Sequence, residues 1–419
     1  MRSLSVLTRT TADGSAGPDN RVSAFYERHP YPPAVDDLEG YRDLWDEERR
    51  RADSHLFWPA QPYREDRSIL VAGCGTSQAA RYALRWPAAQ VTGIDISAAS
   101  LAFAEGLKRK YRLDNLELRR LEVEGAGDLG RSFEHVVCTG VLHHLPDPDA
   151  GLRALRGVLA PGGALHLMVY APYGRAGVYL LQDYCRRLGL GATPEEIGEL
   201  ARVLEALPRD HPIAPLLRSS PDFRTEAGLA DALLHPQDRA YSVPQLLGLL
   251  NRAGLSFSRW PRQAPYLAQC GSPSATPHRR RLAALRPEDQ YAAMELFRGT
   301  MVRHSLVAHR SDQPGRSGPQ GLDGDDWADV VPIRLPDTIE VMQKLPPGAA
   351  AVLINRGHTY PDLVMPIDAA EATLLAAVDG RRTLGEIAST TVRPEDVRAF
   401  FERLWRYDQV VFDASRRRG

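Results

Sequence analysis

Two glycines and an aspartate are the first residues whose types and spacing suggest chemistry. Gly73 and Gly75 follow the apolar run 69–72 and precede a helical pattern. A buried strand should break there into a turn whose backbone N–H groups, with a helix N-terminus, approach a ligand closely. A second apolar run, 91–94, ends in Asp95, 20 residues after Gly75. At that spacing a strand-end carboxylate accepts hydrogen bonds from ribose hydroxyls. Together the two segments describe a nucleoside site. The pyrophosphate fingerprint needs a third glycine where the chain has Gln78, so a dinucleotide is not expected.

A third group follows the strand-like run 135–138, which opens into Thr139, Gly140 and the pair His143 and His144. Ligands of open parallel sheets bind beyond the carboxyl ends of the strands, so this segment should wall the site. An imidazole suits proton removal at neutral pH. Adjacent residues leaving a strand point in different directions, so only one of the pair should face the pocket, and His143 is preferred. The alternative is that both rings brace the motif through hydrogen bonds to backbone.

At these residues the chain resembles the class I S-adenosylmethionine-dependent methyltransferases, whose first motif reads acidic-x-Gly-x-Gly-x-Gly and whose second strand ends in an acidic ribose binder. It departs from that pattern at Val71, where an acid commonly supports the methionine ammonium, and at Ser77, where a third glycine is usual. The wording of 138–148 is similar to the fourth motif of small-molecule members. The resemblance implies an α/β fold with a Rossmann-like seven-stranded sheet whose last strand is reversed, and S-adenosylmethionine as cofactor. It implies cofactor contacts from Gly73, Cys74, Gly75, Asp95, Ile96 and Thr139, with Glu122 against the adenine and Glu124 as second choice. The aromatic and proline segment 25–33 is similar to an arm that folds over the cofactor in some members, which adds Tyr31. The alternative is a rigid strap packed on the core.

These motifs need elements to hold them, and the chain has room for more than one domain: 419 residues, 43% hydrophobic. With 52 Lys and Arg against 53 Asp and Glu, the net charge is -1. That gives no electrostatic case for a nucleic acid or membrane partner. Cys74, Cys138, Cys185 and Cys270 have no paired spacing, which argues against a zinc site or disulfide framework and fits a reducing cytoplasm. No metal is expected.

Residues 1–67 are expected to form a disordered tail, to about residue 20, and then an extended aromatic arm. Alternating strand and helix patterns over 68–310 read as an open parallel sheet with crossover helices, which the resemblance makes the methyltransferase domain, interrupted at about 171–241 by a helical cap carrying Tyr173, an acceptor-side candidate. The glycine, proline and aspartate content of 311–328 reads as a flexible linker. Residues 329–419 suggest short strands, three helices and a last strand, resembling winged-helix domains that bind peptides in modified-peptide biosynthesis. No basic recognition helix is evident, which counts against DNA. The expected function is methyl transfer to nitrogen or oxygen of a peptide or protein. The alternatives are a small-metabolite methyltransferase whose C-terminal domain is structural, and a non-catalytic cofactor-binding protein.

Overall fold

The apolar run that precedes the glycines is the strand Ser68–Ala72 (β1), buried on both faces, as an apolar stretch without alternation requires. The computed structural model describes residues 18–313, 321–322, 324–388 and 393–416. The strands Gln90–Asp95 (β2), Leu116–Arg120 (β3), Phe133–Thr139 (β4), Leu159–Tyr170 (β5), Leu255–Arg259 (β6) and Arg303–Arg310 (β7) complete a sheet of order β3-β2-β1-β4-β5-β7-β6. Strands β1 to β5 pair in parallel, and β7 runs antiparallel to both β5 and β6. This is the expected Rossmann-like α/β sheet with a reversed last strand. Its order turns back between β1 and β4, where open sheets form a ligand crevice.

The helices that aim the site residues start where their caps dictate. Ala98–Tyr111 begins after Ser97, whose side chain accepts the Ser100 N–H. Gln78–Arg85 ends before Pro87. Between β5 and the helix Val243–Arg252 lies the helical cap, with a core of its own built on Val178, Leu181, Ile197, Leu229 and Leu233. Phe25 of the N-terminal segment packs into that core.

The N-terminal arm differs from the expectation. Phe25 and Tyr26 belong to a helix, Pro18–Arg28, and the chain leaves helical geometry only beyond it. Val22, Phe25 and Tyr26 share one helix face at i, i+3 and i+4. The prolines begin at Pro30, and a residue preceding proline is disfavoured in helical geometry, which stops the helix there. The expected disorder of the first residues falls almost wholly outside the described residues.

Residues 331–413 form an α+β unit. Val331–Arg334 (β8) pairs with Val410–Asp413 (β12), while Thr338–Val341 (β9), Ala351–Asn355 (β10) and Val364–Ile367 (β11) form an antiparallel sheet. Three helices, Ala369–Ala376, Leu384–Ala388 and Pro394–Arg406, cover them. Part of the expected linker lies outside the described residues. Its end is fixed, because Leu322 is buried in the C-terminal core and Trp327 packs against it. The unit is docked on the sheet domain: Asp408 accepts the Ala264 N–H at 2.9 Å, and Gln263 donates to the Trp405 carbonyl at 2.7 Å. All four cysteines are buried and free. No helix among the described residues is long and apolar enough to cross a membrane.

Candidate active site

Gly73 and Gly75 both adopt left-handed backbone, with φ of 66° and 53°. A Cβ at Gly73 would lie 2.3 Å from a Val141 methyl, and one at Gly75 would lie 2.7 Å from the Tyr31 carbonyl oxygen. Conformation and close approach therefore both demand glycine. The Gly75 N–H donates to Asp95 Oδ2 at 2.8 Å, and the Ser97 N–H donates to Asp95 Oδ1 at 2.9 Å. Each carboxylate oxygen keeps a lone pair for a further donor. Burial pushes the Asp95 pKa up, against the lowering effect of these N–H groups.

A cavity of about 570 Å³ opens over these groups at the carboxyl ends of β1, β2 and β4. Gly73, Cys74, Gly75, Asp95, Ile96, Glu122 and Thr139 line it, and Glu124 does as well. Tyr31 lines it from the arm side, its hydroxyl donating to Asp222 of the cap at 3.1 Å. The Thr76 hydroxyl donates to the Pro32 carbonyl at 2.8 Å, which fastens the arm across the glycine turn. All the expected cofactor contacts thus meet in one cavity. Val71 is fully buried in the sheet and does not reach it. Gln78, which breaks the dinucleotide fingerprint, donates to the Thr139 hydroxyl and ties the helix start to the end of β4.

The acceptor-side residues fall differently. His143 and His144 lie in a 3-10 turn, Leu142–His144. His144 lines the cavity and His143 does not. The His144 Nδ1 donates to the Gln237 carbonyl at 2.8 Å, so in the neutral ring Nε2 carries the lone pair. His143 is buried with neither ring nitrogen hydrogen-bonded, and its ring lies 3.9 Å from that of Tyr170. Burial holds its pKa well below the usual histidine range. The preference for His143 is therefore reversed, because the tight turn places that ring against β5. Tyr173 lies outside the cavity lining and is 43% exposed. Its neighbour Gly174 donates its N–H to the Met301 carbonyl at 3.0 Å, which holds the turn at the surface. Tyr170, at the end of β5, lines the cavity instead.

A network that no local pattern announces completes this wall. Asp231 of the cap accepts from the Tyr26 hydroxyl at 3.0 Å and from the Tyr170 hydroxyl at 3.4 Å. Burial pushes the Asp231 pKa up. Its members come from the N-terminal helix, β5 and the cap, so only the tertiary fold assembles them. His144, Asp231 and His235 place possible ligand atoms within 4.8 Å of one another. However, the His235 Nδ1 accepts the Gln237 N–H at 3.0 Å, which leaves the proton of the neutral ring on Nε2 and no second lone pair for a metal.

Residues 70–165, which take in the end of β1, the glycine turn, β2 and the histidine pair, match the methyltransferase domain family model. The chain belongs to the class I S-adenosylmethionine-dependent methyltransferases. An uncharacterized protein of Synechococcus is 30% identical to this methyltransferase over 304 residues, 70% of this chain and 72% of that one. The ubiquinone biosynthesis O-methyltransferase of Chromobacterium violaceum is 33% identical over 146 residues, covering 33% of this chain and 59% of its own. Among solved structures, PKMT2 from Rickettsia typhi in complex with AdoHcy shares the fold with a TM-score of 0.62 at 16% identity, over 91% of this chain and 77% of that chain.

S-adenosylmethionine is the cofactor of this methyltransferase, and the residues present fit it. The glycine turn leaves room that a Cβ would fill, and Asp95 offers lone pairs to ribose hydroxyls. When bound, the cofactor supplies a methyl group already activated on a sulfonium. What remains for the protein is to orient the acceptor and to take its proton where it carries one.

Proposed function

We propose that this methyltransferase acts on nitrogen or oxygen of a peptide or protein acceptor, which enters beside the C-terminal unit. The observation that carries this reading is where that unit docks. Arg303 lines the cavity and is exposed, marking an open side. Near it the C-terminal turn closes in: a Cβ on Gly357 would lie 2.8 Å from Arg262 Nε. Arg298 stands 4.4 Å from the Tyr360 ring and pairs with Asp362 at 3.2 Å. No residue of the C-terminal unit lines the cavity among the described residues, but its turn reaches Arg262, whose charge is within reach of Arg303, and this suits an acceptor long enough to pass Arg303 and touch that unit. The fold shared with PKMT2 spans 91% of this chain, well beyond the cofactor-binding segment.

In this reading His144 is the base, facing the cavity with Nδ1 fixed by Gln237. Tyr26 and Tyr170, held by Asp231, shape the wall beside it. A small-metabolite acceptor is the second reading, favoured by the arm and cap that roof the cavity, and by the relative named for ubiquinone biosynthesis.

The two separate in one experiment. The enzyme is incubated with methyl-labelled S-adenosylmethionine and a cell extract divided into peptide and small-metabolite fractions. Label is expected in the peptide fraction, and Tyr360→Ala is expected to raise the KM for that acceptor while leaving kcat. Label confined to the metabolite fraction overturns the peptide reading.

A further inference from the structure

The cavity extends past the cofactor-side wall into a groove of different chemistry. In the β5 and β7 register, Arg303 is opposite Tyr170, Ser305 opposite Met168 and Val307 opposite His166. Residues two apart share a sheet face, so Met168 and His166 form a floor with Arg303 at its end. From across the groove the helix Gln78–Arg85 contributes Gln78, Arg81, Tyr82 and Arg85 to the same cavity. That spacing belongs to one helix face. Strand β7 lies two strand spacings beyond β4, about 10 Å, on the side away from Asp95.

The charges separate along the same line. The cavity's acids are Asp95, Glu122, Glu124 and Asp222. The first three belong to the nucleoside end, and Asp222 is bonded to Tyr31. The groove has three guanidiniums instead. Arg85 is satisfied: it pairs with Asp53 at 3.5 Å, bonds the Tyr41 hydroxyl and lies over the Trp45 ring. The Arg81 side chain has no ion pair or hydrogen bond among the described residues; its guanidinium lies 5.5 Å from the Tyr41 ring, and its Nε is buried without an acceptor. A buried charged donor left unmatched costs more than a neutral one, and a planar guanidinium is shaped to meet a carboxylate.

We propose that this groove is a carboxylate subsite for the methyl acceptor, with the acid held between Arg81 and Arg303. The proposal rests on reading the cavity as the acceptor site, and with a peptide acceptor it specifies an acidic one. The carboxylate is a handle about 10 Å from the end of β4, which leaves the methylated atom beside Thr139 and His144. A cationic side chain is repelled from the groove by Arg81 and Arg303, since the Arg85 charge is paired with Asp53.

The test uses the full chain saturated with S-adenosylhomocysteine at fixed ionic strength. Calorimetric titrations compare acetyl-Ala-Glu-Ala-amide with acetyl-Ala-Gln-Ala-amide, and benzoate with benzamide. The acid of each pair is expected to bind about tenfold more tightly than its neutral partner. Arg81→Gln and Arg303→Gln are each expected to abolish that ratio while leaving S-adenosylhomocysteine affinity within about twofold. Arg303 is exposed at a strand end, so its variant keeps the test sound should Arg81→Gln disturb folding. Equal binding of acid and neutral partner in both pairs overturns the proposal. So does an Arg81→Gln variant that loses S-adenosylhomocysteine, since Arg81 would then hold the cofactor's own carboxylate. Discrimination by benzoate without peptide binding upholds the subsite and overturns the peptide reading alone.

Discussion

Gly75 donates its backbone N–H to Asp95 Oδ2 at 2.8 Å, fastening the turn after β1 to the end of β2. One carboxylate thus holds the shape of the glycine turn and lines the cavity, with lone pairs left for the hydroxyls of a nucleoside. Asp95→Ala is expected to weaken S-adenosylhomocysteine binding by about 1.5 to 3 kcal/mol, the worth of lost charge-assisted bonds. Calorimetric titration checks it. An unchanged dissociation constant would remove Asp95 from the site.

Gly75→Ala tests the close approach of the arm. The new methyl would meet the Tyr31 carbonyl at 2.7 Å on backbone with φ of 53°. A loss of about 1 to 3 kcal/mol in stability is expected from the left-handed conformation and the forced shift of the arm, together with weaker cofactor binding. Gly127→Ala is the control, since nothing lies within 4 Å of its Cβ position. Its urea midpoint should move little. If both variants behave alike, the arm yields freely and does not constrain the turn.

The parts of this site that were legible in the sequence are the local ones. The glycine turn, the strand-end Asp95 beside it and the parallel strands all follow from apolar runs and spacing, because a parallel strand buried on both faces leaves an unbroken pattern. The choice between His143 and His144 was not legible, since a 3-10 turn decides which ring meets the cavity. Tyr173 and Tyr170 differ only in where β5 ends. Asp231 and its two tyrosines are held by contacts spanning 205 and 61 positions, and Arg81 and Arg303, 222 positions apart, line one cavity only through the tertiary fold. The arm was misread because its prolines drew attention from the helix face just before them.

Acid is expected to destabilise the fold through buried histidines. Burial holds the pKa of His135 and His143 well below the usual 6.5 and lowers that of His166 to about 4. The folded state keeps these rings neutral, whereas the unfolded chain protonates them below about 6.5. Stability is therefore full above that pH and falls as pH drops from about 6.5 towards 4, by at most about 1.4 kcal/mol per pH unit per group. His135 sits among Phe57, Trp58 and Tyr82 rings. His135→Phe should therefore flatten the urea-midpoint profile across that window. A profile as steep as the parent's would locate the acid sensitivity elsewhere.

Asp362 tests the docking of the C-terminal unit. Its Oδ1 meets Arg298 at 3.2 Å, and its Oδ2 accepts from the Ser272 N–H at 2.7 Å and hydroxyl at 2.8 Å. Arg298 and the Ser272 donors hold its pKa below the usual range, against the effect of burial. Asp362→Ala is expected to cost about 1 to 3 kcal/mol by freeing three donors and to leave S-adenosylhomocysteine affinity intact. Thermal unfolding with a parallel titration distinguishes this from a change at the cofactor end, which would weaken binding as well.

His143 and His144 should separate cleanly in kinetics. His144 lines the cavity with Nδ1 fixed on the Gln237 carbonyl, whereas His143 is enclosed beside Tyr170 without a hydrogen bond to either nitrogen. A general base typically contributes about 10² to 10⁴ in rate, so His144→Gln is expected to lower kcat on that scale with little change in acceptor KM. Glutamine can preserve a donor to Gln237 without supplying a base, which keeps the wall in place and isolates the proton transfer. His143→Gln puts a polar amide into an enclosed site, so its expected effect is on stability, with kcat changed by no more than a few fold in the folded fraction. Unaltered turnover in His144→Gln would mean that the reacting atom arrives without a proton to lose, as a carboxylate does, and would move the methylated atom to the acid itself.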